Sequence, residues 1–217
     1  MGRKRTGRLL IVVSVCLLLA SVAYAKDLAD YAFLDRTEAE VLQELNRART
    51  SPAEYVAILL DYRSHIHHGV LEYKGEIGVR LSEGTKAVDE AIAFLKRQSP
   101  FRPFSASKGL SQAAKDQAKD QGKTGATGHD GSDGSSPFVR MNRYGKWKKT
   151  AGENCAYGPD NARQIVIQLI VDDGVPSRGH RLNIFNSAFG TVGIAVGPHP
   201  RFGFVCVMDL AGDYEEK

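Results

Sequence analysis

The chain has 217 residues, with 29 Lys and Arg against 25 Asp and Glu. Four of the basic residues (Arg3, Lys4, Arg5 and Arg8) precede Lys26 and no acid precedes Asp27, so residues 26–217 carry 25 charges of each sign. That balance gives no support to a nucleic-acid or anionic-membrane partner, and neither is expected.

The basic start leads into an apolar run, Leu9 to Ala20, and then Ala23-Tyr24-Ala25, the small-x-small pattern that signal peptidase reads. The run falls short of the roughly 20 residues a bilayer span needs. Cleavage after Ala25 is therefore expected, leaving a secreted, extracellular or periplasmic chain without a membrane span. Cys16 follows a bulky Val15 inside the apolar run and does not read as a lipid-bearing cysteine. The remainder suits one domain with its own core. Cys155 and Cys206 are the cysteines left after cleavage. An even count in an exported chain permits one disulfide between them, the alternative being two buried thiols.

In chain order, Thr37-Glu38-Ala39-Glu40 reads as a capping box opening a helix with Val41, Leu42, Leu45 and Ala48 on one face. Ser51-Pro52-Ala53-Glu54 starts a second helix, with proline in its first turn. Residues 63–84 read as an irregular connection with an extended piece near 76–81. Helical spacing resumes at Val88, Ala91, Ile92 and Leu95, and the prolines at 100 and 103 break it. A helical stripe from Leu110 to Ala118 ends near Gly122, and a loop rich in Gly, Ser and Asp follows to Ser136. Ser136-Pro137 opens a short helix that Gly145 closes. Glu153–Tyr157 reads as a short strand and Ala162–Asp172 as an apolar helix. Strands at 191–196 and 202–210 flank a Gly-Pro-His-Pro-Arg turn. Helices followed by strands indicate an α+β sandwich, not alternating βαβ units.

The residues with chemical potential are His129 in Gly-His-Asp, Glu153 in Gly-Glu-Asn and His180 in Gly-His-Arg, each where a glycine turn meets an element boundary. Two imidazoles with carboxylates suit zinc or another divalent cation, and suit proton relay equally well. No His-Glu-x-x-His motif is present, so a helix-borne zinc protease site is absent. Asp130-Gly131-Ser132-Asp133-Gly134 lacks the spacing and terminal glutamate of a calcium loop and reads as a turn. Ser177 has no nucleophile-elbow context. Cys155 lies two residues after Glu153, hence on the same strand face. A packed or bonded cysteine is the simpler reading there than a nucleophile. His65, His67 and His68 read as surface residues.

Gly152-Glu153-Asn154-Cys155-Ala156-Tyr157-Gly158, the segment Gly128 to Phe138, and Gly179-His180-Arg181-Leu182-Asn183-Ile184-Phe185-Asn186 resemble three signature segments of the CAP superfamily. This is the cysteine-rich secretory, antigen 5 and pathogenesis-related 1 group, here in its bacterial form. Phe189, the segment Val192 to Val196, and the segment Leu45 to Arg49 also fit. The resemblance implies a three-layer α-β-α sandwich over 37–211, after a signal peptide (1–25) and a leader (26–36) and before a short tail (212–217). It also implies a cleft gathering His129, Glu153, His180 and a second acid. That acid falls at Asp172, three residues after Leu169, which stands where the family usually has tryptophan; Asp173 competes for the role. His129 and His180 are the candidate metal ligands. The function implied is a binding or effector module for a lipid, glycan or protein. A metal- or carboxylate-assisted hydrolase is the alternative, and an envelope-associated structural protein is the third reading.

Overall fold

A computed structural model describes residues 31–217, so the expected signal peptide lies outside the described residues. The first helix, α1 (Arg36–Thr50), starts earlier than the Thr37 box predicts. Asp35 is the cap: its carboxylate accepts from Glu38 N at 2.8 Å, and Glu38 returns a 2.8 Å bond from Asp35 N. Asp35 and Glu38 keep the same three-residue spacing, so the box is shifted and its logic retained. In α2 (Pro52–Ser64) proline holds the first turn, but Ser51 makes no side-chain cap. The connection after α2 is more regular than expected. It forms a small antiparallel sheet of β1 (Ile66–His67), β2 (Val70–Leu71) and β3 (Val79–Arg80), and leads to α3 (Lys86–Leu95).

The second half builds the main sheet. Its elements are β4 (Ser105–Ala106), α4 (Lys108–Thr124), α5 (Pro137–Tyr144), β5 (Gly145–Tyr157), α6 (Ala162–Val171), α7 (Gly179–Ile184), β6 (Thr191–His199) and β7 (Gly203–Glu216). Strand order is β4-β6-β7-β5, with β4 parallel to β6 and the other pairings antiparallel. Strand β5 is much longer than the Glu153–Tyr157 piece read from sequence. Its first half pairs with the end of β7, from Gly145 opposite Glu216 to Lys148 opposite Asp213, so residues 212–216 are strand and not tail. A register shift between Lys148 and Ala151 breaks the alternation that sequence reading relies on.

The fold is an α+β, three-layer α-β-α sandwich. On one face, Leu110, Ala113, Ala114 and Ala118 of α4 and Met141 of α5 meet Cys155, Ala195, Val205, Val207 and Ala211. On the other, α1, α2, α3, α6 and α7 close over Ala156, Val192, Ile194, Cys206, Met208 and Leu210. Gly193 lets α4 approach: a Cβ there would lie 2.0 Å from the Leu110 backbone carbon.

This geometry corrects the disulfide expectation. Strands β5 and β7 are neighbours, but Cys155 opposes Val207 while Cys206 opposes Ala156. The thiols are one register step apart and therefore point to opposite faces. Both are buried and free. A disulfide needs Cβ atoms about 3.5–4.5 Å apart on converging vectors, which a shared sheet face would require.

Candidate functional site

The Gly152-Glu153-Asn154 segment lies on β5, an edge strand, so its successive side chains serve opposite layers. Glu153 points toward α4 and α5. Its Oε1 lies 2.8 Å from His129 Nδ1 and its Oε2 accepts from Arg140 Nη2 at 2.7 Å. Arg140, fully buried on α5, also donates to His129 O at 2.9 Å and Ser135 O at 2.7 Å. One guanidinium therefore neutralises Glu153 and ties down both ends of the histidine loop. Loop entry at Gly128 needs φ +100°, open to glycine and strained for other residues. The Glu153 hydrogen bond, opposed by desolvation, holds the His129 pKa above its ordinary value.

Asn154 points the other way. Its Nδ2 donates to His180 O at 3.1 Å, and its Oδ1 accepts from Asn183 Nδ2 at 2.8 Å. The second acid is Asp172. It accepts from His180 N at 2.9 Å through Oδ2 and meets His180 Nδ1 at 2.6 Å through Oδ1. The shorter side chain reaches because Asp172 is not in the helix. It is the C-cap of α6, in the left-handed region (φ 57°, ψ 43°), which turns its carboxylate over the start of α7. Asp173 takes no part, bonding instead to Ser82 N at 2.6 Å and Glu83 N at 2.8 Å.

Besides Arg140, two residues that sequence reading missed stand against these pairs. Arg178 precedes α7 with φ 53° and donates to Asp172 O at 2.8 Å while gripping Glu83 at 2.6 Å and Glu90 at 2.7 Å. A non-glycine residue in the left-handed region costs on the order of 1–3 kcal/mol, and the clamp over-determines it. Asp209 of β7 sits directly opposite Glu153 in the register. It is fully buried, and neither carboxyl oxygen has a hydrogen-bond partner among the described residues. Burial first, then the neighbouring Glu153 charge, pushes its pKa well above the carboxylate range. An acid inside the apolar run Val205 to Leu210 was the signal available for it.

The site thus consists of two His–carboxylate pairs, one on each face of the β5 edge. Both imidazoles commit Nδ1, and neither Nε2 has a hydrogen-bond partner among the described residues. His129 is the more exposed ring, with 49% of its side chain accessible against 22% for His180. Of the other candidates, Cys155 lies beside the first pair, its Sγ 4.0 Å from His129 Nδ1, while His65 and the 131–134 turn make other contacts. His65 packs its ring against Tyr73 at 4.5 Å beside the small sheet, and residues 131–134 form a turn closed by Gly134 N to Gly131 O.

A sandwich presenting paired histidines and carboxylates at a strand edge is the architecture of a CAP domain. The family model described as the cysteine-rich secretory protein family (CAP) matches residues 42–210, and the chain belongs to that family. The chain is 29% identical over 109 residues to the uncharacterized protein YkwD of Bacillus subtilis (strain 168). That alignment covers 50% of this chain and 40% of YkwD, so the match spans two-fifths of the relative's length. Among solved structures the chain is similar to an outer surface protein from Borrelia burgdorferi, with TM-score 0.44 and 18% identity over 54% of this chain and 80% of that one. It is also similar to an extracellular protein containing a SCP domain from Bacillus anthracis str. Ames, with TM-score 0.40 and 19% identity over 51% and 34% of the two chains. No described helix is long and apolar enough to cross a membrane.

Proposed function

We propose that the chain is an exported binding or effector module that engages a lipid, glycan or protein ligand in a cleft along the β5 edge, with His129 and His180 as its polar contacts. The observation that carries this reading is the shared state of the two rings. An ionised carboxylate holding Nδ1–H leaves the Nε2 lone pair outward, ready to accept a hydrogen bond or to ligate. The same ring nitrogens are of a type that ligates a divalent cation such as zinc, and in this reading His129 and His180 are the candidate ligands with Glu153 and Asp172 as their orienting partners. When bound, such a cation would offer a Lewis-acidic point for an anionic ligand group.

A hydrolase reading is less well supported because, among the described residues, no nucleophile is bonded to either Nε2. Cys155 is buried, and burial pushes its thiol well above the ordinary cysteine value, so it is not a ready thiolate. The test is metal analysis and calorimetry on protein purified without chelator, alongside a broad peptide-hydrolysis screen. A weak zinc-binding component that needs both rings, lost in His129→Ala and in His180→Ala, with no hydrolysis, is expected. Turnover that disappears in either variant would replace the binder by the hydrolase.

A further inference from the structure

Beneath the outward-facing imidazole edge lies a grouping that the binding reading does not use. Cys155 follows Glu153 by one strand period, so its thiol lies on the same sheet face, under the His129 ring. The Sγ atom is 4.0 Å from His129 Nδ1 and 3.7 Å from Glu153 Oε1, and the latter two atoms are 2.8 Å apart. Among the described residues this is the group of three ligand-type side chains whose atoms all fall within 4.8 Å of one another. His180 and Asp172 do not belong to it.

The three separations fix a triangle, and the point equidistant from its corners lies about 2.1 Å from each. Zinc bonds are about 2.3 Å to thiolate sulfur and about 2.0–2.2 Å to imidazole nitrogen and carboxylate oxygen. A cation at or just off that point would therefore need shifts of only a few tenths of an ångström in any ligand. Glu153 already spends Oε2 on Arg140, leaving Oε1 as a separate ligand atom, and with the guanidinium offsetting the carboxylate it is the thiolate that leaves the site net negative for a cation. The half-exposed ring gives a path from solvent to an otherwise covered thiol.

We infer that Cys155 Sγ, His129 Nδ1 and Glu153 Oε1 form a binding site for a thiophilic divalent cation of the zinc type, independent of His180. Three protein ligands leave a fourth position for water. On binding, the Cys155 S–H bond breaks and its proton leaves to solvent, while the sulfur lone pair forms the metal bond. The imidazole proton moves from Nδ1 to Nε2 through solvent, so one proton is released per cation. His129 then shows the cleft a donor where it previously showed an acceptor. Loading this inner site would thus disable Nε2 ligation by the same ring.

Cobalt(II) titration of the purified exported chain tests the assignment, because a thiolate–cobalt bond gives a near-ultraviolet charge-transfer band. The band should saturate at one equivalent, vanish in Cys155→Ser and in Cys155→Ala, weaken in affinity roughly tenfold or more in His129→Gln, and persist in His180→Ala. Absence of the band in the unmodified chain overturns the site whether or not any variant folds. So does a band that survives both cysteine variants or is lost in His180→Ala. Cation binding without a sulfur band that depends on His180 would overturn this inference and leave the cleft reading standing.

Discussion

Glu153 and Asn154 are consecutive in β5 and hold different histidines. Glu153 meets His129 Nδ1 at 2.8 Å on one face of the sheet, and Asn154 donates to the His180 carbonyl at 3.1 Å on the other. The two-residue period of a strand accounts for both letters of the motif. Asn154 is fully buried, with donor and acceptor both used. Asn154→Ala would leave the partly buried His180 carbonyl and Asn183 amide without their partner, at about 1 kcal/mol for each hydrogen bond lost. Denaturant unfolding should show that loss. A change below about 0.5 kcal/mol would mean the bonds are readily replaced by water.

Arg140 is the guanidinium bonded to Glu153, and both side chains are almost wholly buried. Arg140→Met should therefore destabilise by about 3–5 kcal/mol, because it strands a buried carboxylate. Adding Glu153→Gln should recover part of that loss, since the uncompensated charge disappears with it. Chemical denaturation of the single and double variants gives the coupling directly. Strict additivity would contradict it.

Asp209 has a raised pKa, so the folded state prefers its neutral form. An acid with a raised folded pKa contributes stability that is fully present below its unfolded value, about 3.9, and that is lost as pH rises through the folded value. Asp209→Asn keeps the shape and fixes the neutral state. It should flatten this part of the pH profile and be no less stable than the parent at alkaline pH. Thermal unfolding across a pH series of both proteins provides the comparison; an alkaline loss in the asparagine variant would argue that the carboxylate is needed.

His129 also has a raised pKa, from its bond to Glu153. Proton NMR of the ring should place its midpoint above the usual value of about 6.5, and Glu153→Gln should lower it. The sign for stability follows. The pair's contribution is fully present below the unfolded value and fades as pH rises through the folded one. Cation affinity through Nε2 runs the opposite way, falling as the ring gains its second proton.

Both thiols should be counted when the purified protein is denatured without reductant, and neither should react readily in the native state. Burial raises the pKa of each. A single intact mass with two alkylated cysteines is the expected result, and a bonded pair would require a different β5–β7 register.

Much of the architecture was legible because it rests on local rules. The apolar stripes of α1, α4 and α6, the proline at the start of α2, and the glycine that closes α5 all depend on spacing and backbone chemistry within one element. The three histidine- and glutamate-bearing segments were legible as a resemblance, in order along the chain. What the sequence could not supply was pairing. The β5 extension is set by β7, six of whose residues lie opposite it, and the Lys148–Ala151 irregularity conceals it from a period-two reading. The disulfide question turned on one step of register, which sends Cys155 and Cys206 to opposite faces. Asp172 found its place through a left-handed cap held by Arg178, whose own anchors, Glu83 and Glu90, are some ninety positions away along the chain. Asp209 and Arg140 became neighbours of Glu153 only when the sheet and α5 closed over it. Local propensity specifies where elements begin and end, but proximity between distant residues is created by packing, and that is where this site was decided.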